Sequence, residues 1–180
     1  MSKFLYLLTL LFPLTIAAQE KLQFVGEKID FAIDSSRFSV NGIYTFVNIS
    51  PNDINQTIFY PFAKGASSVE FKRVFNLSYS RNINFTLKES GAVFKLFIAS
   101  ADTIRVNISY SQKTGKENVY ILRSTQYWNR PLQFAEYTLT TDRSVSIDSV
   151  SYAPDRIEEN VYYYRKVDFF PYEDFVVIIK

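Results

Sequence analysis

The chain has 180 residues, with 20 basic and 18 acidic side chains and a formal net charge of only +2. This balance gives no broad electrostatic reason to expect nucleic acid or an anionic membrane surface as a partner. The sequence contains neither cysteine nor histidine, which excludes disulfides, thiolate nucleophiles, histidine-containing triads and ordinary His/Cys zinc sites. We therefore expect a protein that is not an enzyme and that carries no cofactor and no metal.

Residues 1–18 have the layout of a secretory signal peptide. Lys3 supplies a positive charge, residues 4–16 are almost wholly apolar, and small residues lead up to Ala18. The apolar run is shorter than the ~20 residues that a membrane-spanning helix needs, although an uncleaved anchor or a buried strand is an alternative. We expect cleavage after Ala18, a single domain over residues 19–180 without a stable membrane span, and export to the periplasm or exterior of a bacterium.

Apolar and polar residues alternate along most of residues 19–180, as they do in half-buried strands. The clearest run predicts that the even positions of residues 104–110 face inward and that Arg105 and Asn107 face outward. Similar runs cover residues 29–33, 38–46, 69–75 and 83–87, whereas residues 94–98 and 175–179 are more continuously apolar, as strands covered on both faces would be. Gly42 lies inside one of them, where a bulge or a close approach would suit a glycine.

Short segments rich in Gly, Pro, Asn, Asp and Ser separate these runs, as turns do in all-β proteins. Helical spacing is absent apart from a possible single turn at residues 155–160. The pattern predicts an all-β fold, specifically an antiparallel, Greek-key-like β-sandwich of roughly 10–12 short strands. A closed β-barrel is the alternative architecture.

The most distinctive local cluster is Tyr127-Trp128-Asn129-Arg130, followed by Pro131. It holds the only tryptophan, next to amide and guanidinium groups of the kind that bind sugars and peptides on aromatic platforms. We take these four residues as the candidate ligand-binding site. The alternative interpretation is that Trp128 fills the core and Pro131 marks the edge of a strand.

Two polar segments have some of the chemistry of a cation site. Asp142, Ser144 and Ser146 match the D-x-S-x-S pattern of von Willebrand-type A domains, but neither the glycine nor the helix of that setting follows. Asn52 and Asp53 lack the glycine and distal glutamate of a calcium-binding loop. We interpret both segments as turns stabilised by their own side chains.

Five Asn-x-Ser/Thr triplets are acceptor sites for N-glycosylation only if the host glycosylates exported proteins. Their asparagines are Asn48, Asn55, Asn76, Asn84 and Asn107. Alternation places Asn84 and Asn107 on the polar faces of strands, so we expect both to be accessible.

Residues 41–48 (NGIYTFVN), 58–62 (IFYPF), 69–71 (VEF) and 103–110 (TIRVNISY) resemble the strand layout of vault/inter-alpha-trypsin-type sandwich domains and of related secreted bacterial domains. The resemblance covers less than half of the chain and rests mostly on packing positions. It implies a β-sandwich used in extracellular or envelope protein contacts without catalysis. It carries over no functional residue.

Three functions remain open at this point. The first is a secreted, non-catalytic β-sandwich that binds a protein or a cell-envelope component. The second is a small carbohydrate- or peptide-binding module centred on Trp128. The third is a small outer-membrane β-barrel, which the polar side chains of Lys88 and Arg105 on the strand faces disfavour.

Overall fold

A computed structural model describes residues 21–180, so the candidate signal peptide and its cleavage site lie outside the described residues. Strands occupy most of this range because alternating apolar positions give each segment one face to bury. The strands are β1 Leu22–Ile33, β2 Arg37–Asn48, β3 Ile54–Pro61, β4 Glu70–Asn76, β5 Arg81–Asn82, β6 Phe85–Lys88, β7 Gly91–Ile98, β8 Thr103–Lys113, β9 Glu117–Tyr120, β10 Leu132–Thr141, β11 Ile147–Val150, β12 Arg156–Glu158, β13 Val161–Phe169 and β14 Phe175–Ile179. A 3-10 helix, Arg123–Trp128, joins β9 to β10.

The largest layer is an eight-stranded sheet in the order β12-β13-β10-β1-β2-β8-β4-β5. Adjacent strands in this sheet are antiparallel, except for β1 and β10. These two run parallel to each other and place Ile29 opposite Tyr137. The fourteen strands exceed the predicted number because very short strands such as β5, with two residues, carry no readable alternation. The possible helical turn at residues 155–160 was wrong, since this segment forms β12 and the turn that follows it.

Two three-stranded sheets, β3-β7-β6 and β11-β14-β9, cover one face of the large sheet. Phe175 of β14 stacks on Phe31 of β1 with ring centroids 4.5 Å apart, and Tyr60 of β3 meets Tyr110 of β8 at 5.9 Å. The core lies between these layers, so the all-β sandwich is confirmed. Each of the three sheets formed by residues 21–180 is open, which makes the closed alternative wrong for this part of the chain.

The predicted register of β8 is confirmed. Ile104, Val106, Ile108 and Tyr110 are all buried against the small sheets, while Arg105 is exposed on the outer face. No helix within residues 21–180 is both long enough and apolar enough to cross a membrane.

The expectation that Asn107 is accessible was wrong. Although its side chain points away from the core, the amide donates to Asn41 Oδ1 and to the Gly42 carbonyl, at 2.8 and 2.9 Å. Its own Oδ1 accepts from Arg73 Nε at 2.9 Å, and the side chain is buried beneath these neighbours. Asn84, in contrast, is exposed as predicted.

An irregularity in β1 decides which of its side chains face the core. Phe24 lies opposite Phe46 of β2, but Gly26 already lies opposite Thr45, so Val25 is an extra residue in the ladder. Such a bulge reverses the in-out alternation of the residues after it. As a result, Glu27 points inward and is only 1% exposed.

Substitutions at two neighbouring positions of β8 test this register. Val106→Asp buries an unpaired carboxylate at a site with 0% exposure, so we expect a loss of ~3 kcal/mol or more, or no folding. Arg105→Asp lies on the exposed face and should change stability by no more than ~0.5 kcal/mol. Equal effects of the two aspartates in urea unfolding would contradict the register.

Candidate functional site

The two small sheets leave a groove between them, with a volume of about 1600 Å³. Strand β3 forms one wall and β9 forms the other, while β1 and β2 of the large sheet form the floor. The 3-10 helix Arg123–Trp128 closes one end. In the sheets that residues 21–180 form, both walls are edge strands, so each has a hydrogen-bonding strand on one side only.

A row of tyrosine hydroxyls crosses the floor of the groove. Tyr44 of β2 lies in the middle and shares hydrogen bonds of 2.8 Å with Tyr60 of β3 and 3.0 Å with Tyr120 of β9. All three side chains are buried. The hydroxyls therefore connect both walls to the same residue of the floor.

Glu27 extends this row into a buried network. Its Oε1 accepts from the Tyr137 hydroxyl at 2.6 Å, and its Oε2 accepts from the Tyr120 hydroxyl at 3.3 Å. Burial raises the pKa of Glu27 to about 7, and the two tyrosine hydrogen bonds offset only part of this effect. We call Glu27, Tyr44, Tyr60, Tyr120 and Tyr137 the Glu27–tyrosine network.

Gly42 provides the room that Tyr44 needs. A Cβ atom at Gly42 would lie 2.5 Å from the Tyr44 hydroxyl oxygen and 2.6 Å from its ring. The tyrosine ring therefore folds back over the glycine on the same face of β2. The close approach predicted at Gly42 is confirmed, whereas the nearby bulge lies in β1.

Trp128 sits at the end of the groove and is half-buried. Its indole packs against Phe24 and Phe46, with ring centroids 5.9 and 5.8 Å away. Trp128 therefore combines the two interpretations made from the sequence, a core residue and a binding residue, because its indole both contacts core rings and lines the groove.

The other predicted site residues are distributed unevenly around Trp128. Tyr127, 86% exposed, and Asn129 also line the groove. Arg130 is exposed but does not contribute to the lining. Tyr127 and Trp128 form the last part of the 3-10 helix, Asn129 follows it with a left-handed φ of 51°, and β10 begins shortly afterwards at Leu132.

Asp174, in the loop before β14, anchors the start of this helix. Its Oδ1 accepts from the backbone N–H groups of Leu122 and Arg123 at 3.0 and 2.9 Å. Its Oδ2 lies 3.3 Å from the Arg123 guanidinium. Sequence analysis missed this role because Asp174 lies far along the chain from the helix it holds.

Of the two segments considered as cation sites, the one at Asp142 is a turn stabilised by its own side chains, whereas Asp53 bonds to a distant loop. Asp142 Oδ1 accepts from both the backbone N–H and the hydroxyl of Ser144, at 2.8 and 2.6 Å. Asp53 Oδ1 accepts from the Ser100 N–H at 2.9 Å. Within residues 21–180, no three acidic side chains are grouped as metal ligands would be.

No protein-family model matches the sequence, and no curated protein matches it. Solved structures do match the fold. A candidate nutrient-binding protein of Legionella pneumophila superposes with a TM-score of 0.65 and 12% identity, covering 88% of this chain and 67% of that chain. Leukotriene A4 hydrolase of Saccharomyces cerevisiae gives a TM-score of 0.55 and 9% identity over 88% of this chain.

An M1 zinc metallopeptidase of Deinococcus radiodurans gives a TM-score of 0.51 and 10% identity over 89% of this chain. The present chain spans 29% of the yeast hydrolase chain and 42% of the Deinococcus chain. At these identities the matches establish the fold and leave activity open. The resemblance to vault/inter-alpha-trypsin-type domains stays a prediction.

The raised pKa of Glu27 predicts how stability depends on pH. The folded state binds the proton more tightly than the unfolded state, so this contribution is full below the ordinary pKa of 4.5 and is lost as pH rises through 7. Between about pH 5 and about pH 8 we expect a loss of about 2–3 kcal/mol. Glu27→Gln, which cannot ionise, should flatten this slope in urea unfolding; an unchanged slope would contradict the assignment.

A second prediction separates Trp128 from its exposed neighbour. Trp128→Ala removes the contacts with Phe24 and Phe46, and because the indole is only half-buried we expect a cost of about 2 kcal/mol, below that of a core tryptophan. Tyr127→Ala should cost no more than ~0.5 kcal/mol. Thermal unfolding measures both, and a Trp128→Ala protein as stable as the wild type would contradict the packing described.

Proposed function

We propose that the chain is an exported, non-catalytic domain that binds a protein or cell-envelope partner in the groove. The observation that carries this proposal is the groove itself. Its volume of about 1600 Å³ exceeds the ~300–1,000 Å³ of small-molecule pockets. Aromatic and aliphatic side chains from both walls and the floor line it, as suits a ligand larger than a metabolite.

The polar groups of the groove support binding rather than catalysis. Both carboxylate oxygens of Glu27 accept hydrogen bonds from buried tyrosines, so this group holds the floor together. The Thr125 hydroxyl donates to the Leu122 carbonyl at 2.8 Å. Asp174 is engaged with the 3-10 helix and with Arg123. No pair of nucleophile and free base emerges from these contacts.

The fold matches give this proposal modest support. The same architecture occurs in a candidate nutrient-binding protein, and it forms less than half of an M1 zinc metallopeptidase chain. A domain of this fold therefore occurs both within larger chains and as most of a smaller one.

The proposed export rests on the signal-peptide layout of residues 1–18, and N-terminal sequencing of the protein from the envelope fraction tests it.

A carbohydrate ligand is the second candidate, and the exposed ring of Tyr127 beside Trp128 favours it. Aromatic faces at the end of a groove stack on sugar rings. In that case the binding energy would be concentrated at the 3-10 helix, whereas a protein ligand would use the whole groove.

Trp128 is the only tryptophan, so its fluorescence reports on the groove without labelling. We expect its emission to shift when random-sequence peptides are added and to stay constant with soluble peptidoglycan fragments. Ile58→Ser, at a half-buried side chain of β3 that lines the groove on the same face as Tyr60, should weaken peptide binding at least about tenfold.

Ile147→Ser is the matched control, since Ile147 is a half-buried strand isoleucine packed against the same core but does not line the groove. A response to peptidoglycan fragments alone would favour the carbohydrate-binding candidate. Equal effects of the two serine variants would contradict the groove as the binding site.

A further inference from the structure

The walls of the groove carry main-chain groups without partners in the sheets. Among the strands of residues 21–180, β3 pairs only with β7, and β9 pairs only with β14. In an antiparallel pair, alternate residues direct their N–H and C=O groups to the partner, and the residues between direct them outward. The ladder of each wall shows which residues face the groove.

For β3, the Phe62 N–H donates to the Ser90 carbonyl at 2.9 Å and continues the ladder with β7. Even-numbered residues therefore bond to β7, and Asn55, Thr57 and Phe59 direct their main-chain groups outward. The Thr57 carbonyl accepts only from the neighbouring Gln56 side chain, at 3.2 Å. Pro61 occupies another outward position, where the missing N–H costs nothing.

For β9, the Ile179 N–H donates to the Lys116 carbonyl at 2.9 Å, which extends the ladder with β14. Even-numbered residues again bond to the partner, and Glu117 and Val119 direct their main-chain groups outward. Ile121 follows β9 on the same parity, but its carbonyl accepts from the Ser124 hydroxyl at 3.4 Å. All three residues line the groove, so outward main-chain groups bound it on both sides, and among those of the described residues the Thr57 and Ile121 carbonyls are covered by nearby side chains.

The two rows run in opposite directions. Strand β3 begins near the end of β2, where the Asn48 amide donates to the carbonyl of Ile98, the residue that pairs with Ile54. Strand β9 leads into the 3-10 helix, whose Trp128 packs on Phe46 at that same end. A strand lying between them would be antiparallel to one wall and parallel to the other, and both ladders occur in proteins.

We propose, building on the function proposed above, that the groove binds an extended segment of a partner polypeptide as an added strand between β3 and β9. Only a polypeptide offers donors and acceptors that alternate between its two sides along its length. One set of its main-chain groups bonds to β3 and the alternate set bonds to β9. The apolar floor takes the side chains that point into the groove.

Backbone methylation tests this mode of binding. Peptides of about ten residues are first selected from a random phage-displayed library by the exported chain, and their affinities are measured through Trp128 emission. Methylating three alternate peptide nitrogens should weaken binding by at least about tenfold, and methylating the other three should do the same. If only one of the two sets of methylated nitrogens weakens binding, the peptide bonds to a single wall, and this result would overturn the two-wall arrangement.

Proline substitutions give the reciprocal test on the protein. Thr57→Pro and Val119→Pro each remove one outward N–H, and Pro61 shows that β3 accepts proline at such a position. We expect each variant to weaken peptide binding about fivefold or more while Thr57→Ala and Val119→Ala change it less than about twofold. Urea unfolding of the four variants verifies that they are folded before binding is compared.

The outcomes separate this inference from the proposed function. Peptides that shift Trp128 emission but tolerate both methylation sets would overturn strand addition and leave groove binding intact. A library that yields no peptide able to shift the emission would overturn both.

Discussion

The buried Glu27–tyrosine network is the interaction on which the rest of the structure depends. An ionisable group in a sandwich core is costly unless hydrogen bonds compensate for the lost water. Here the compensating hydroxyls come from β9 and β10, and the row continues through Tyr44 to β3. Since Tyr60 and Tyr120 both bond to Tyr44, the network also sets how far apart the two walls of the groove stand.

Sequence alternation predicted most of the fold because a two-residue period follows directly from one buried face per strand. The inward positions of β8 and the turn at Asp142 depended only on local residue types, and these predictions are confirmed. Asp53 bonds instead to Ser100, far along the chain, which local residue types did not indicate. The bulge at Val25 could not be predicted in the same way, because no residue type marks it. Parity counted from Leu22 and Phe24 would place Glu27 on the outer face, whereas parity counted back from Ile29 places it inward, so the alternation alone did not locate the centre of the site.

Features that depend on distant parts of the chain were also beyond the sequence pattern. The parallel pairing of β1 with β10 joins segments more than a hundred residues apart, and alternation gives no partner or direction. Likewise, the 3-10 helix has no amphipathic period of its own and is held by Asp174. Tyr127 and Trp128 stood out by composition, but their position at the end of a groove follows from Phe24 and Phe46.

Two open strand edges facing one groove also bear on how the domain avoids self-association. Exposed edges promote pairing with other chains, and proteins commonly block them with proline, charge or cover. Here Pro61 removes one donor, Gln56 covers the Thr57 carbonyl, and Glu117 adds a charge to the opposite wall. A folded second copy would offer its sheet edge to one wall at a time, whereas an extended segment has main-chain groups on both of its sides. The placement of the edges therefore favours a flexible polypeptide over another folded sheet.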